Sequence, residues 1–327
     1  MDASAQALLE HLIDYAGLFP PARLPLDESI RNYIRYRGEP EAWILARFIC
    51  PAERLAELNP YIHDHFTEAS PLLLSALSRG GETPESFLEN LRNDLEAIAR
   101  CVKQHGPTIA VENFETQLPA NILSDGPDNL NRFLRAAADV FASQDIPPLT
   151  CFYEIPKSSD WSAVAHTLAS LNQDTAAKTT RTAGRRGTLG LKLRCGGLEP
   201  TDVPSVAQVA TALEACRGAD VMLKFTAGLH HPTRRVDPAL GVHVHGFLNL
   251  FAAGVFGAAL DLDHPDLLAI IEEEDARQFT FTDEILAWTD AEATVNEIAH
   301  ARRRYVTSFG SCSFDEPRDD LRELGYI

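Results

Sequence analysis

The feature that most constrains this chain is an alternation of short apolar runs with longer amphipathic segments. Each amphipathic segment has apolar residues at helical spacing, and the apolar runs between them are short enough to be buried strands. The runs lie at 43–50, 72–77, 108–113, 149–155, 189–194 and 221–226. The helical patterns lie between them, at 51–66, 84–104, 128–142, 159–171 and 203–217. Such alternation indicates parallel βαβ units with right-handed crossovers.

The remaining segments complete a set of strands large enough for a barrel. We predict two weaker strands, at 279–282 and 306–312, with helices at 245–258, 265–276 and 291–304. Eight strands in a chain of this length predict a single (β/α)8 TIM-type barrel over 41–327. Apolar residues at helical spacing over 4–15 predict that 1–40 form an N-terminal helical extension. A doubly wound sheet is the alternative, but no Gly-x-Gly-x-x-Gly follows the first predicted strand.

The charge balance and the cysteine pattern limit the partners and the compartment. The chain has 47 acidic and 29 basic residues, a formal charge of -18, and such a surface repels nucleic acid. No apolar run is long enough to span a membrane, the N-terminus lacks a basic signal-peptide start, and the six cysteines form no CxxC pair. We therefore expect a cytoplasmic protein with reduced thiols and no nucleic-acid or membrane partner, and the sequence leaves a homo-oligomeric state open. The basic cluster at 178–186 predicts a mobile, solvated insertion over 172–188.

Two predicted strands carry lysines in apolar surroundings. Lys224 lies in the run at 221–226, while Lys192 and Arg194 lie at matching positions in the run at 189–194. An ammonium group in a buried strand is costly unless it is paired or loses its proton. Both runs lead into glycines, which permit close approach of the backbone to a ligand. The pattern favours an active-site wall, with an edge strand or a structural ion pair as the alternative.

Charged residues within buried strands indicate what the site binds. Six of them lie in the predicted strands: Arg47, Glu112, Glu154, Lys192, Arg194 and Lys224. If all point into the barrel, four cations meet two carboxylates, and the positive lining favours a small anionic metabolite with a carboxylate or phosphate group. Alternatively, Arg47 and Glu154 face the helix layer as silent ion pairs.

Histidines form a second group of candidates after the sixth predicted strand. His230 and His231 follow that strand directly, and His243 and His245 precede an apolar helix that carries Asn249. A His-x-His pair is a known way to hold a metal. The same residues can serve as acid-base or substrate-binding groups, or be structural. The sequence leaves these three possibilities open.

A serine-rich turn follows the last predicted strand. Ser311 and Ser313 can offer hydroxyl and backbone N–H groups to an anion, as the last loops of a barrel often do, or can simply cap a turn. The chain has no Gly-x-Ser-x-Gly elbow, P-loop or His-Glu-x-x-His motif, which removes three common enzyme classes.

The segment Leu-Lys-Phe-Thr-Ala-Gly at 223–228 resembles the lysine strands of deoxyribose-phosphate aldolase and its class I relatives. In those enzymes a barrel strand reads Val-Lys, two small or hydroxylated residues, then glycine. The resemblance implies a Schiff-base lysine at Lys224, with Lys192 as a neighbouring cation.

Three hypotheses follow. In the leading one, Lys192 and Arg194 disfavour the charge on Lys224, which then adds to a substrate carbonyl in an aldolase-like lyase reaction. Glu112 or a histidine (His230, His231 or His245) moves the proton, and neither a metal nor a cofactor is required. The predicted substrate-binding residues are Arg194, His245, Asn249, Glu154, Ser311 and Ser313. The second hypothesis is a metal-dependent lyase or hydrolase that uses His230, His231, His243 and His245, and the third is a non-catalytic binding or scaffold barrel.

Overall fold

The computed structural model describes residues 1–179 and 187–327, with the side chains of 175–179 left out. Eight parallel strands close into one barrel in the order β1-β2-β3-β4-β5-β6-β7-β13, with β13 returning to β1. These strands are β1 Ile13–Tyr15, β2 Leu45–Pro51, β3 Leu72–Leu77, β4 Ile109–Gln117, β5 Thr150–Glu154, β6 Leu189–Arg194, β7 Met222–Thr226 and β13 Val306–Ser311. The predicted (β/α)8 barrel is confirmed.

Helices surround the barrel on the outside. They are α1 Ala3–Leu9, α2 Leu26–Tyr36, α3 Asn59–His65, α4 Pro84–His105, α5 Ala120–Ser124, α6 Pro127–Ala142, α7 Trp161–Thr179, α8 Val206–Gly218, α9 Phe247–Leu260, α10 His264–Glu272, α11 Val295–Arg304 and α12 Asp315–Glu323. Among them, α4 and α8 begin with capping boxes, in which the side chains of Thr83 and Ser205 each accept a hydrogen bond from the backbone N–H three residues on.

Two small antiparallel sheets interrupt the last βα segment. A hairpin of β8 Arg235–Asp237 and β9 Val242–Val244 follows β7, and a three-stranded sheet precedes α11. The three strands are β10 Phe279–Phe281, β11 Ile285–Trp288 and β12 Ala291–Thr294. Helix α9 lies between them in sequence and is apolar on all sides, because it is covered both by the barrel and by neighbouring helices. Its Phe247 stacks on Phe309 of β13, with ring centroids 5.3 Å apart.

The first barrel strand is not where the sequence predicted it. Ile13–Tyr15 pair with both β2 and β13, so the prediction of 1–40 as a helical extension outside the barrel is wrong. Three residues with an aspartate in the middle give no periodicity that distinguishes them from the end of a helix. The predicted strand at 279–282 does form, as β10, but in the outer antiparallel sheet rather than in the barrel.

The predicted insertion at 172–188 is also corrected in part. Residues 172–179 continue α7, and β6 begins at Leu189. The rest of the basic cluster, 180–186, lies outside the described residues.

Candidate functional site

The centre of the barrel holds ion pairs where most barrels of this fold hold branched apolar side chains. The Lys224 ammonium contacts Asp14 of β1 and lies 2.8 Å from Glu115 Oε1 of β4. Hydroxyl groups complete the pairing: Ser308 Oγ donates to Asp14 (2.7 Å) and Ser75 Oγ donates to Glu115 (2.5 Å). All five side chains are buried, because they point inward from strands that close on one another.

Lys192 lies beside Lys224 and shares a carboxylate with it. The two lysines are in register on adjacent strands, and Lys192 Nζ lies 3.1 Å from Glu115 Oε2 and 2.9 Å from Glu154 Oε2. Glu154 in turn accepts a 2.9 Å hydrogen bond from Arg194 Nε. Parallel pairing of β5, β6 and β7 therefore brings together four side chains that the sequence singled out.

The structure places Glu115, rather than the predicted Glu112, next to the lysines. Leu74 pairs with Val111 and Ser75 with Asn113, so the register slips at Glu112 and the inward positions after it change. Glu112 remains half-exposed and binds Arg47 Nε at 2.7 Å. The predicted strand ended at 113, so Glu115 was not among the predicted site residues.

Arg47 joins this group from β2. Its backbone N–H and Nη1 lie 3.0 and 3.3 Å from Asp14 Oδ1. We call the connected side chains the central network: Asp14, Arg47, Glu112, Glu115, Glu154, Lys192, Arg194 and Lys224. Four cations meet four carboxylates there, so the predicted surplus of positive charge is wrong because Asp14 and Glu115 were missed.

The electrostatics favour the charged forms of the three buried carboxylates and of Lys192 in the central network. Burial alone would raise the pKa values of Asp14, Glu115 and Glu154, but the adjacent cations outweigh burial and hold all three below their ordinary values. Burial would likewise lower the pKa of Lys192, yet Glu115 and Glu154 raise it. Lys192 and Arg194, the two cations expected to repel Lys224, each have carboxylate partners of their own.

The network reaches solvent at the C-terminal mouth, the end of the barrel at which its strands end. Side-chain exposure falls from 50% at Arg194 to 10% at Glu154, 4% at Lys192 and 0% at Lys224. Arg194, the last residue of β6, is therefore the most exposed cation of the network, and Lys224 is fully enclosed. The C-terminal mouth is the end at which barrel enzymes place their active sites.

The glycines after the two lysine strands allow their loops to touch. A Cβ on Gly196 would lie 2.7 Å from the Gly228 Cα, and Gly228 has φ +73°, which side chains rarely tolerate. The glycines therefore allow the loop after β6 and the loop after β7 to contact each other. The sequence had predicted that they allow the backbone to approach a ligand. The contact between the two loops fixes the ends of β6 and β7 relative to each other.

The structure does not bring the four predicted histidines together. His230 and His231 pair with Glu316 and Asp320 of α12 (3.0 and 2.6 Å), and His243 pairs with Glu274 (3.0 Å). These six side chains lie at partly exposed positions. Within 1–179 and 187–327, no group of three or more His, Cys, Asp and Glu side chains is arranged to hold a metal ion.

His245 and Asn249 have structural partners of their own. His245 is buried and its Nε2 contacts Pro204 O at 2.8 Å, while burial lowers its pKa. Asn249 Oδ1 accepts from the Arg234 N–H, and its Nδ2 donates to the carbonyl oxygens of Ile270 and Glu273. Asn249 thus ties the loop after β7 to the end of α10.

The two serines of the serine-rich turn form hydrogen bonds within the turn and with the start of α12. Ser311 Oγ donates to Ser313 O at 2.7 Å, and Ser313 Oγ accepts from the backbone N–H of Glu316 at 3.2 Å. These bonds close the turn between β13 and α12. The predicted anion-binding role of the two serines remains a prediction.

Two further observations concern the chain as a whole. No helix in the described part of the chain combines the length and the apolar character needed to cross a membrane. Only five lysines occur in the chain, Lys103, Lys157, Lys178, Lys192 and Lys224, and two of the five lie in the barrel centre.

No family model matches the chain, and no curated protein is found to be similar. Among solved structures, a fungal β-1,4-galactanase is similar at 11% identity with a TM-score of 0.31. That similarity covers 55% of this chain and 60% of the galactanase chain, so it spans less than two thirds of either. Such a weak similarity supports no argument about function.

Proposed function

We propose that this protein is a lyase of the aldolase type that forms an imine between a barrel lysine and a small carbonyl compound carrying a carboxylate or phosphate group. The observation that carries the proposal is the adjacent pair Lys192 and Lys224, enclosed in the barrel and bridged by Glu115. The (β/α)8 barrel is a frequent enzyme scaffold, but its presence does not determine the reaction.

The energetic cost of the central network supports a functional role. Burying a charged group costs on the order of several kcal/mol per ion. A protein with well-packed apolar residues of similar volume in place of a buried ion pair is often at least as stable. The chain otherwise uses arginine for most of its positive charges, with five lysines among 29 basic residues. An arginine supplies charge but is not a nucleophile at neutral pH, whereas a lysine amine adds to carbonyls.

The carboxylates around the lysines suit imine formation. The amine adds to the carbonyl carbon, the carbonyl oxygen leaves as water, and the product iminium retains the single positive charge of the ammonium. Asp14 and Glu115 flank Lys224, and Glu115 and Glu154 flank Lys192, so either iminium would have the same counterions. The same carboxylates are placed to move protons between nitrogen and oxygen.

The sequence proposal assigned the imine to Lys224. We extend it to Lys192, whose side chain is 4% exposed against 0% for Lys224, with Lys224 beside it as the cation that shares Glu115. Arg194 stands at the entrance with half of its side chain exposed, and it would hold the anionic group of the substrate.

Borohydride trapping tests this proposal. The protein is incubated with a panel of aldehydes, 2-oxo acids and sugar phosphates, then reduced, and adducts are mapped by mass spectrometry. We expect one adduct on Lys192 or Lys224, lost in the corresponding Lys→Met variant and in the Lys→Arg variant, which keeps the charge. Lys103→Met, at an exposed position of α4, is the matched control and should trap normally.

An adduct confined to Lys103, Lys157 or Lys178, or no adduct with any member of the panel, contradicts the proposal. Circular dichroism of each variant separates loss of the nucleophile from loss of the fold. If the charge-retaining variants are folded and the panel leaves every lysine unmodified, the central network is structural and the binding or scaffold hypothesis takes precedence.

A further inference from the structure

A second cavity opens at the opposite end of the barrel, where the strands begin. It has a volume of about 550 Å³ and lies between the barrel and helices α1 and α11. We call it the N-terminal cavity. Small side chains leave this space open, because Ala3 and Ala7 of α1 and Ala299 of α11 line it. Arg47, Phe152 and Met222 of the barrel strands line it as well, and Arg47 is a member of the central network.

The wall of this cavity carries positive charge that the central network does not balance. Arg302 is more than nine-tenths buried, and its guanidinium donates to the carbonyl oxygens of Leu8, Glu10 and Val306 at 2.8 to 3.0 Å. It has no carboxylate partner within 1–179 and 187–327. Burial and the nearby Arg47 lower the pKa of Arg302 to about 9, as expected for a guanidinium whose charge is not paired.

Arg303 adds a second cation at the opening. It is exposed and, among the described residues, forms no ion pair, while the adjacent Arg304 pairs with Asp220 at 2.7 Å on the surface. The other titratable side chains that line the cavity are Glu10, His11 and Arg47, and Arg47 is paired with Asp14 and Glu112. The two positive charges of Arg302 and Arg303 therefore outnumber the single negative charge of Glu10 in this cavity. This local positive charge occurs in a protein whose formal charge is -18.

We propose that the N-terminal cavity is a binding site for a small polyvalent oxyanion, a compound with carboxylate or phosphate groups. A concave site of this size that is lined by Arg302 and Arg303 matches the requirements of such a ligand. Arg303 would bind it at the opening, and the buried charge of Arg302 would attract it. The inference does not depend on imine formation, because it concerns the other end of the barrel.

Arg47 connects this cavity to the central network, since it lines the cavity and donates to Asp14. A substitution of Arg47 would disturb both regions. Arg303 is the suitable position for a test because it belongs to the cavity alone.

The test measures anion binding by isothermal titration calorimetry, with citrate in one arm and inorganic phosphate in the other. We expect Arg303→Gln to weaken binding of the preferred anion about fivefold or more. The matched Arg304→Gln should leave this binding unchanged, and the binding that remains in the mouth variant Arg194→Gln should be the part that Arg303→Gln weakens. Ala7→Phe fills the cavity and should abolish it. The arm that binds more tightly distinguishes a carboxylate ligand from a phosphate ligand.

The proposal is overturned if neither anion binds, or if Arg303→Gln and Arg304→Gln have equal effects. Binding that is lost in Arg194→Gln and kept in Arg303→Gln places the anion at the C-terminal mouth and also overturns it. Arg303 is exposed, so its variant keeps the test decisive even if Ala7→Phe fails to fold. Failure of borohydride trapping would leave the expected result here unchanged.

Discussion

The strand lysines and the loop histidines were both singled out as chemical groups by the sequence, and the fold treats them differently. Lys192 and Lys224 lie side by side and share one carboxylate. His230, His231 and His243 each have a separate carboxylate partner at a partly exposed position.

The difference follows from the elements that carry them. Parallel strands in register place equivalent residues next to each other, and barrel closure points alternate side chains at one axis. A long loop has no such constraint, so each histidine meets whichever acidic group lies nearest. Chemically interesting residues on barrel strands are therefore better evidence for a site than the same residues in a connecting segment.

The largest difference should appear when a carboxylate is neutralised in each region. Glu115→Gln removes the counterion that two buried ammonium groups share, and it should reduce the free energy of unfolding by about 3–5 kcal/mol. Asp320→Asn removes the partner of His231 in a partly exposed pair and should cost about 1 kcal/mol or less. Urea unfolding at pH 7 measures both values. Similar losses in the two variants would mean that the barrel charges are screened by water.

The two regions should also respond to acid in separate pH ranges. Asp14, Glu115 and Glu154 have folded pKa values below the ordinary 3.8 and 4.5. Their contribution is complete above those ordinary values and is lost as pH falls through the lower folded values. His245 has a folded pKa below 6.5, so the unfolded chain takes up its proton first and stability declines as pH falls below 6.5.

Urea unfolding between pH 8 and pH 3 should therefore show a first decline near pH 6 and a steeper one below about pH 4. His245→Gln should remove part of the first decline, and Glu115→Gln part of the second. A pH dependence that neither substitution changes would assign both declines to other groups.

The smallest expected effect concerns anion binding at the C-terminal mouth. Sulfate or a dicarboxylate, at a concentration of some tens of times its dissociation constant, should raise the melting temperature by about a few degrees. The increase should be smaller at high salt. Arg194→Gln should reduce the shift, while His230→Gln and the exposed control Arg277→Gln should not. If only His230→Gln reduced the shift, the anion would be assigned to the segment that contains His230 rather than to Arg194.

Much of the barrel could be predicted from periodicity, because six strands are short apolar runs separated by longer helical patterns. The first strand could not, since Ile13–Tyr15 acquire their strand identity only by pairing with β2 and β13. The strand at Phe279–Phe281 was recognised locally, but its sheet was not, because a short run does not specify its partner.

The same limit applies to the candidate site. Lys192, Lys224, Glu154 and Arg194 were identifiable because charges interrupt apolar strands. Asp14 and Glu115 were not, because one lies in a three-residue strand and the other follows a register shift.

The sequence by itself determined the alternation of strands and helices, the parallel barrel that this alternation requires, and the presence of lysines within two of its strands, all of which depend on local patterns of apolar and charged residues. Only the tertiary structure decided which carboxylates neutralise those lysines, which histidines stand apart, and where the N-terminal cavity opens. Those outcomes depend on strand register and barrel closure, which bring together residues as distant in sequence as Asp14 and Lys224.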